Sequence, residues 1–317
     1  MNVKNLPGHI YQIKGVETGP SALILGGTHG DEIAGIEIVR VLLKQLGVLH
    51  KPARVYNRDD IKGNLFIGFG NPEAILRNTR GASANLDLNR AFEPALIDKL
   101  PEENDPLDLK RARELLSLLR SVDYLFDIHS TSSPSKPFLC LGKVTPGHKK
   151  LFPYIPTNTI LTDPNAILAK HKGYKTVGTT DFVVNSNGGV GFGYETGQAK
   201  DLAQVKTVVG TVVKLLCVVG MTDSNFINLF DINPKTIKLH NNKQKIYKLT
   251  CCILAKENKF KYNPGMQKGW LEVKKGQKVG IYESGREEIT PTESMYLFPK
   301  APGKIKATES LYYLAQS

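Results

Sequence analysis

Three short apolar segments of this chain each run directly into a residue able to donate to a metal ion, and that pattern narrows the fold more than any other feature. Residues 21–25 lead through Gly26-Gly27-Thr28 to His29, residues 124–128 to His129, and residues 190–194 to Glu195. Between them, apolar residues recur at spacings of three and four. Ile33, Ile36, Val39, Leu43 and Leu46 do so within 32–46, and Leu115, Leu118 and Leu119 within 107–120, which predicts helices. A further helix with a nearly continuous apolar body is expected over 201–219, and further strands over 64–69 and 138–141. Strands alternating with helices imply an α/β fold with a largely parallel, helix-covered sheet. Such sheets collect ligands at the carboxyl ends of their strands. His29, His129 and Glu195 all fall there.

After about residue 225 the pattern changes. Residues 246–254, 278–282, 295–298 and 311–314 read as strands between Gly, Pro and Asn turns, with no helical period. A first domain over 1–225 and a smaller β-rich domain over 226–317 are expected, with the boundary near Asn233-Pro234. A chain of 317 residues has room for both. Of its net charge of +12, most sits in 226–317, where 16 basic residues face 8 acidic ones. A basic surface attracts anions, but no nucleic-acid motif accompanies it, so no nucleic acid is expected. No apolar run approaches the ~20 residues of a membrane span, and the N-terminus lacks the apolar stretch of a signal peptide. Cys140, Cys217, Cys251 and Cys252 show no C-x-x-C spacing and read as reduced, buried thiols. The expected setting is cytoplasmic, without a membrane partner. The oligomeric state stays open, a homo-oligomer included.

Chemistry concentrates in four short stretches. In Thr28-His29-Gly30-Asp31-Glu32, a histidine in the turn and a carboxylate in the first helical turn can converge on one ion. Asp127-Ile128-His129 supplies a second imidazole. The period of two in a strand puts Asp127 on the same side, where it is expected to orient a different ligand rather than reach the His129 ring. In Tyr194-Glu195-Thr196-Gly197, Glu195 can take a proton from water and return it to a leaving amine. Arg77, Arg80, Asn89 and Arg90 offer guanidinium forks and a neutral donor. One arginine suits a developing oxyanion and another a substrate carboxylate. Taken singly, each stretch has a plain structural explanation: an exposed histidine beside a helix-terminal acid, a strand-end histidine, a surface glutamate, solvated loop arginines. Taken together, they make up the kit of a catalytic zinc: three ligands, an open position, a base and an oxyanion stabiliser.

In its motifs the chain resembles the aspartoacylase/succinylglutamate desuccinylase family, a branch of the zinc carboxypeptidase-like fold. The resemblance runs through Gly26-Gly27-Thr28-His29-Gly30-Asp31-Glu32, Asn71-Pro72-Glu73-Ala74, Asp87-Leu88-Asn89-Arg90, Asp127-Ile128-His129-Ser130-Thr131, the Glu195 turn and Glu309-Ser310-Leu311-Tyr312-Tyr313. It implies one zinc on His29, Glu32 and His129, with Glu195 as base and acid and Arg80 polarising the scissile carbonyl. It also implies Asn89, Arg90 and Tyr312 on a substrate carboxylate. The fold implied is a mixed, mostly parallel sheet flanked by helices, with the β domain narrowing the entrance. The activity implied is cleavage of the amide of a small anionic N-acyl amino acid. A carboxypeptidase would share the ligands but needs an open groove, and a non-catalytic binding protein need not keep them.

Two departures bear on specificity. Aspartoacylases carry a further arginine about ten residues before the base, where this chain has Asn185 and no arginine between Arg120 and Glu195. The spacing from Arg80 to Asn89 is also two residues longer, which leaves Arg77 a rival for the Arg80 role. N-acetylaspartate is therefore expected to be a poor substrate, unless Lys136, Lys143 or a C-terminal lysine substitutes.

Overall fold

The structure is a computed structural model and describes residues 6–49, 51, 53–131, 135–170, 173–199, 201–230 and 244–317. Its strands are β1 (Ile10–Gly26), β2 (Val55–Phe69), β3 (Tyr124–Thr131), β4 (Phe138–Leu141), β5 (Thr159–Thr162) and β6 (Val190–Gln198) in the first part. The second part has β7 (Lys245–Leu254), β8 (Phe260–Tyr262), β9 (Leu271–Val273), β10 (Lys278–Tyr282), β11 (Glu287–Ile289), β12 (Ser294–Leu297) and β13 (Ser310–Gln316). One large sheet has the order β2-β1-β3-β6-β4-β5-β7-β13-β12-β9, and β8, β10 and β11 form a small second sheet.

The large sheet is mixed. The pairs β1–β3, β3–β6, β4–β5 and β5–β7 are parallel, β4–β6 is antiparallel, and β7, β13, β12 and β9 continue antiparallel. β1 and β2 are longer than the apolar runs that mark them. Residues 21–26 pair in parallel with 64–69, while Ile10 lies opposite Gly68 and Lys14 opposite Asn64 on the other edge of that segment.

Helices cover both faces, because neighbouring residues of a strand point opposite ways. Ile24 and Phe126 pack with Ile38, Val39 and Leu42 of the helix Ile33–Gln45 and with Val208 and Val212 of Val205–Val218. Leu23, Leu25 and Leu125 pack on the other side against Leu115 and Leu118 of Leu107–Ser121. Both-sided burial is why the central strands read as unbroken apolar runs. Each such fully buried Leu or Ile contributes about 2 kcal/mol of transfer free energy.

The β-rich part is stitched to the first by parallel pairing of Thr159 with Lys245 and of Thr162 with Lys248, so one sheet runs through both. Asn233-Pro234, near which the boundary is expected, lies outside the described residues. A second core, built on Tyr262, Tyr282, Tyr296, Leu311 and Tyr312, fills the space between the large sheet and the small one.

Candidate active site

The site begins with glycine. A Cβ on Gly26 would lie 2.1 Å from the Gly35 carbonyl oxygen, and one on Gly35 would lie 2.4 Å from that of Ile128. Only hydrogen at both positions lets the helix Ile33–Gln45 press its N-terminus against the ends of β1 and β3. Glu32 occupies the N-cap position of that helix, its side chain free of the helix backbone, and so lands between the two histidines. Its Oε1 is 2.7 Å from His29 Nδ1, and its Oε2 is 2.9 Å from His129 Nδ1. Ser130 donates its backbone N–H to Oε2 at 3.0 Å. All three side chains are buried, and one ligand atom from each lies within 4.8 Å of the others.

The outer nitrogens of the rings face acids. His29 Nε2 is 3.4 Å from Asp87 Oδ1, an ion-pair distance without hydrogen-bond alignment. His129 Nε2 is 3.1 Å from Asp127 Oδ2 and 3.2 Å from Asn89 Nδ2. Asp127 therefore does reach the ring two residues on, contrary to the expectation that it orients another ligand. Strand geometry puts both side chains on one side, and Thr28 and Thr180 fix the carboxylate there, each donating a hydroxyl at 2.7 and 2.6 Å.

Carboxylates on the outer nitrogens favour the Nε2–H form of each ring and point both Nδ1 lone pairs at Glu32. Two lone pairs and a carboxylate cannot share that space without positive charge. Protons can supply it: burial works against charged imidazoles, but Asp127 and Glu32 outweigh it and hold His129 well above the ordinary histidine range, while Glu32 and Asp87 raise His29. A divalent cation supplies it equally well, so the residues fit a metal.

Glu195 stands across the cluster. It is the register partner of His129 on the adjacent strand, so the two side chains share a face. Its buried Oε2 has no hydrogen-bond partner among the described residues. Burial and the charge of Glu32 push its carboxyl up to about 7.

The arginines separate. Arg77 is tied to Glu73 and to the Ala82 carbonyl, whereas Arg80 is paired with Asp87 at 3.3 Å, beside His29. Arg80 and Arg90 line a cavity of about 380 Å³ together with Leu168, Lys300, Glu309 and Tyr313. Asn89 is held by its Oδ1, which accepts from the Thr180 N–H at 3.0 Å. Its Nδ2 is a donor facing a ring nitrogen that already carries the proton directed at Asp127, so it is not spent on His129.

Tyr312 is corrected. It is fully buried in the second core, its ring 4.8 Å from that of Tyr296 and its hydroxyl 3.5 Å from Glu288. On β13 the alternation of side chains turns Tyr313, not Tyr312, into the cavity. Sequence reasoning also missed Asp87, Thr180, Lys300 and Glu309. Asp87 and Glu309 each carried a signal, as part of a motif without an assigned role of their own.

A buried His-Glu-His cluster that could hold a metal ion thus lies at the carboxyl edge of a mostly parallel sheet, faced by a third acid, in a protein of the α/β class. Residues 18–213 match the family described as the succinylglutamate desuccinylase/aspartoacylase catalytic domain, and the chain belongs to that family. Among curated proteins it is 33% identical over 116 residues to rat aspartoacylase, covering 35% of this chain and 34% of that protein. It is 29% identical over 116 residues to the rat N-acyl-aromatic-L-amino acid amidohydrolase (carboxylate-forming), covering 35% of this chain and 33% of that protein. These alignments span about a third of each relative's length. The fold is shared throughout: the succinylglutamate desuccinylase/aspartoacylase of Rhodobacter sphaeroides superposes with a TM-score of 0.67 at 17% identity, over 97% of this chain and 88% of that one. Murine aminoacylase 3 does so at 0.65 and 18%, over 95% and 96%. The sheet order and the antiparallel C-terminal strands thus agree with the zinc carboxypeptidase-like fold expected from the motifs. Among the described residues, no helix is long and apolar enough to cross a membrane.

Proposed function

We propose that this protein is a zinc-dependent hydrolase that cleaves the amide of a small N-acyl amino acid, consuming water and releasing a carboxylate and a free amino acid. The observation that carries this reading is the convergence of His29, Glu32 and His129 opposite Glu195, whose Oε2 has no hydrogen-bond partner among the described residues, beside a small cation-lined cavity. His29, Glu32 and His129 would hold the metal. Zinc bound there supplies Lewis acidity and lowers the pKa of water toward ~7.

The remaining work falls to side chains of the chain itself. Glu195 removes a proton from the attacking water and delivers it to the departing nitrogen, a role suited to a carboxyl raised toward neutrality. Arg80, steadied by Asp87, donates to the carbonyl oxygen as negative charge builds there. Asp127 holds the His129 ring. Arg90 receives the amino acid's carboxylate, with Tyr313 beside it. Lys300, Glu309 and Tyr313, all from the β-rich part, wall the cavity, which supports a small substrate over a peptide chain in an open groove.

Asn185 does not replace the family's second arginine. Its amide donates to the Gly191 carbonyl at 2.9 Å and accepts the Gly191 N–H at 2.8 Å, so it braces β6. An uncharged side chain or acyl group is therefore favoured over N-acetylaspartate. The test is release of free amino acid from a panel of N-acyl amino acids, with and without a chelator. Chelator-sensitive turnover of uncharged members supports the reading. No turnover of any member by the zinc-loaded protein contradicts it.

A further inference from the structure

We propose that Glu309 sets the charge of substrate the site accepts, by cancelling Lys300 in the cavity wall. This rests on the deacylase reading and names a residue that determines its specificity. Three cations line the cavity: Arg80, Arg90 and Lys300. Arg80 is matched by Asp87, and Lys300 Nζ is 3.3 Å from Glu309 Oε2. Arg90 donates to the Asn89 carbonyl, and among the described residues no carboxylate lies within ion-pair distance of it. One substrate carboxylate therefore finds an unmatched partner. A second meets Lys300 already paired and Glu309 repelling it.

Glu309 is held in place by backbone, not by the ion pair. The Ala255 N–H donates to the Glu309 carbonyl and the Thr308 N–H to the Ala255 carbonyl, both at 2.8 Å, and Glu309 N–H donates to Lys306 at 3.1 Å. Thr308 sits at φ +69°, a conformation that β-branched residues rarely adopt. Such outliers persist where the surroundings dictate them, often beside binding sites. Thr308, Glu309 and Ser310 all line the cavity, so this stretch of backbone forms part of its wall. Lys300 is anchored too, its N–H on the Leu311 carbonyl and its own carbonyl on the Tyr262 hydroxyl, both at 2.8 Å. The pair itself is partly exposed, with side chains 32% and 46% accessible. Exposed pairs of that kind add little stability. Its placement matters for the charge it presents to the cavity.

The experiment compares kcat/KM for N-acyl aspartate and N-acyl asparagine, a charged and a neutral side chain of one shape, in wild type, Glu309→Gln, Glu309→Ala and Glu309→Gln/Lys300→Met. Both single variants should shift the ratio toward aspartate by tenfold or more, about 1.4 kcal/mol, and the double variant should lose that shift. A ratio within twofold of wild type in both single variants, with N-acyl asparagine still hydrolysed, overturns the proposal. Should wild type hydrolyse neither compound, the full panel decides the deacylase reading, and calorimetric binding of succinate against succinamate decides the charge question. A tenfold gain for succinate alone in Glu309→Gln upholds it, and equal affinities in wild type and variant overturn it.

Discussion

Asp127 and His129 meet two residues apart on one strand, with Oδ2 of the acid 3.1 Å from Nε2 of the ring. The contact fixes which nitrogen of His129 is free to face Glu32. Removing the partner of a ligating histidine costs metal affinity by roughly 10- to 100-fold. Asp127→Asn should weaken zinc binding by that factor in a competition with a chromogenic chelator, with the fold kept. Unchanged affinity would mean that Asp127 serves only to bind Thr28 and Thr180.

Glu195→Gln should keep its metal and its melting temperature and lose at least ~10²-fold in kcat. Base action needs the ionised carboxylate, so kcat/KM of the wild type should fall as pH drops through the Glu195 pKa. Burial beside Glu32 places that midpoint between the ordinary 4.5 and about 7, and a cation on Glu32 draws it toward the lower end. A pH profile that stays flat from 4.5 to 8, or a fully active variant, would return Glu195 to a structural role.

Much of this was legible from the chain, for identifiable reasons. Strands buried on both faces leave unbroken apolar runs, so β1, β3 and β6 stood out and brought His29, His129 and Glu195 with them. The outer halves of β1 and β2 were invisible because residues such as Lys14, Glu17, Arg58 and Lys62 are polar and lie at the sheet's edge, partly in solvent. Tyr312 and Tyr313 are adjacent and chemically identical, and only strand register decides which enters the core. Lys300 and Glu309 come together through the pairing of the Lys300 N–H with Leu311, a tertiary contact that no local pattern announces.

Asn185→Arg restores the family's residue type and should fail to restore acidic specificity. The Gly191 N–H would lose its side-chain partner and the carbonyl would keep only His148 Nε2, at about 1–3 kcal/mol for a buried group left unpaired. The expected result is a lower melting temperature with no gain of N-acetylaspartate hydrolysis. A gain of tenfold or more would show that the position faces substrate after all.

Asp181 gives a stability signature. It is buried, and desolvation raises its carboxyl to about 6 from 3.8, against hydrogen bonds from Thr179 and the Gly142 backbone. The folded state binds this proton more tightly than the unfolded state, so its contribution to stability is full below about pH 4 and is lost as pH rises through 6. The loss amounts to roughly 3 kcal/mol at most. Asp181→Asn removes that dependence. In denaturant titrations, the stability of the variant relative to wild type should climb between pH 4.5 and 7.5. A constant difference would show that the group does not titrate in that window.

The most direct test of the account is metal content. Purified protein, reconstituted with zinc and desalted, should hold about one zinc per chain by elemental analysis, and His29→Ala and His129→Ala should each hold almost none and lose nearly all hydrolysis. Full occupancy in both variants, or turnover that survives them, would contradict the assignment of His29, Glu32 and His129 as the metal site.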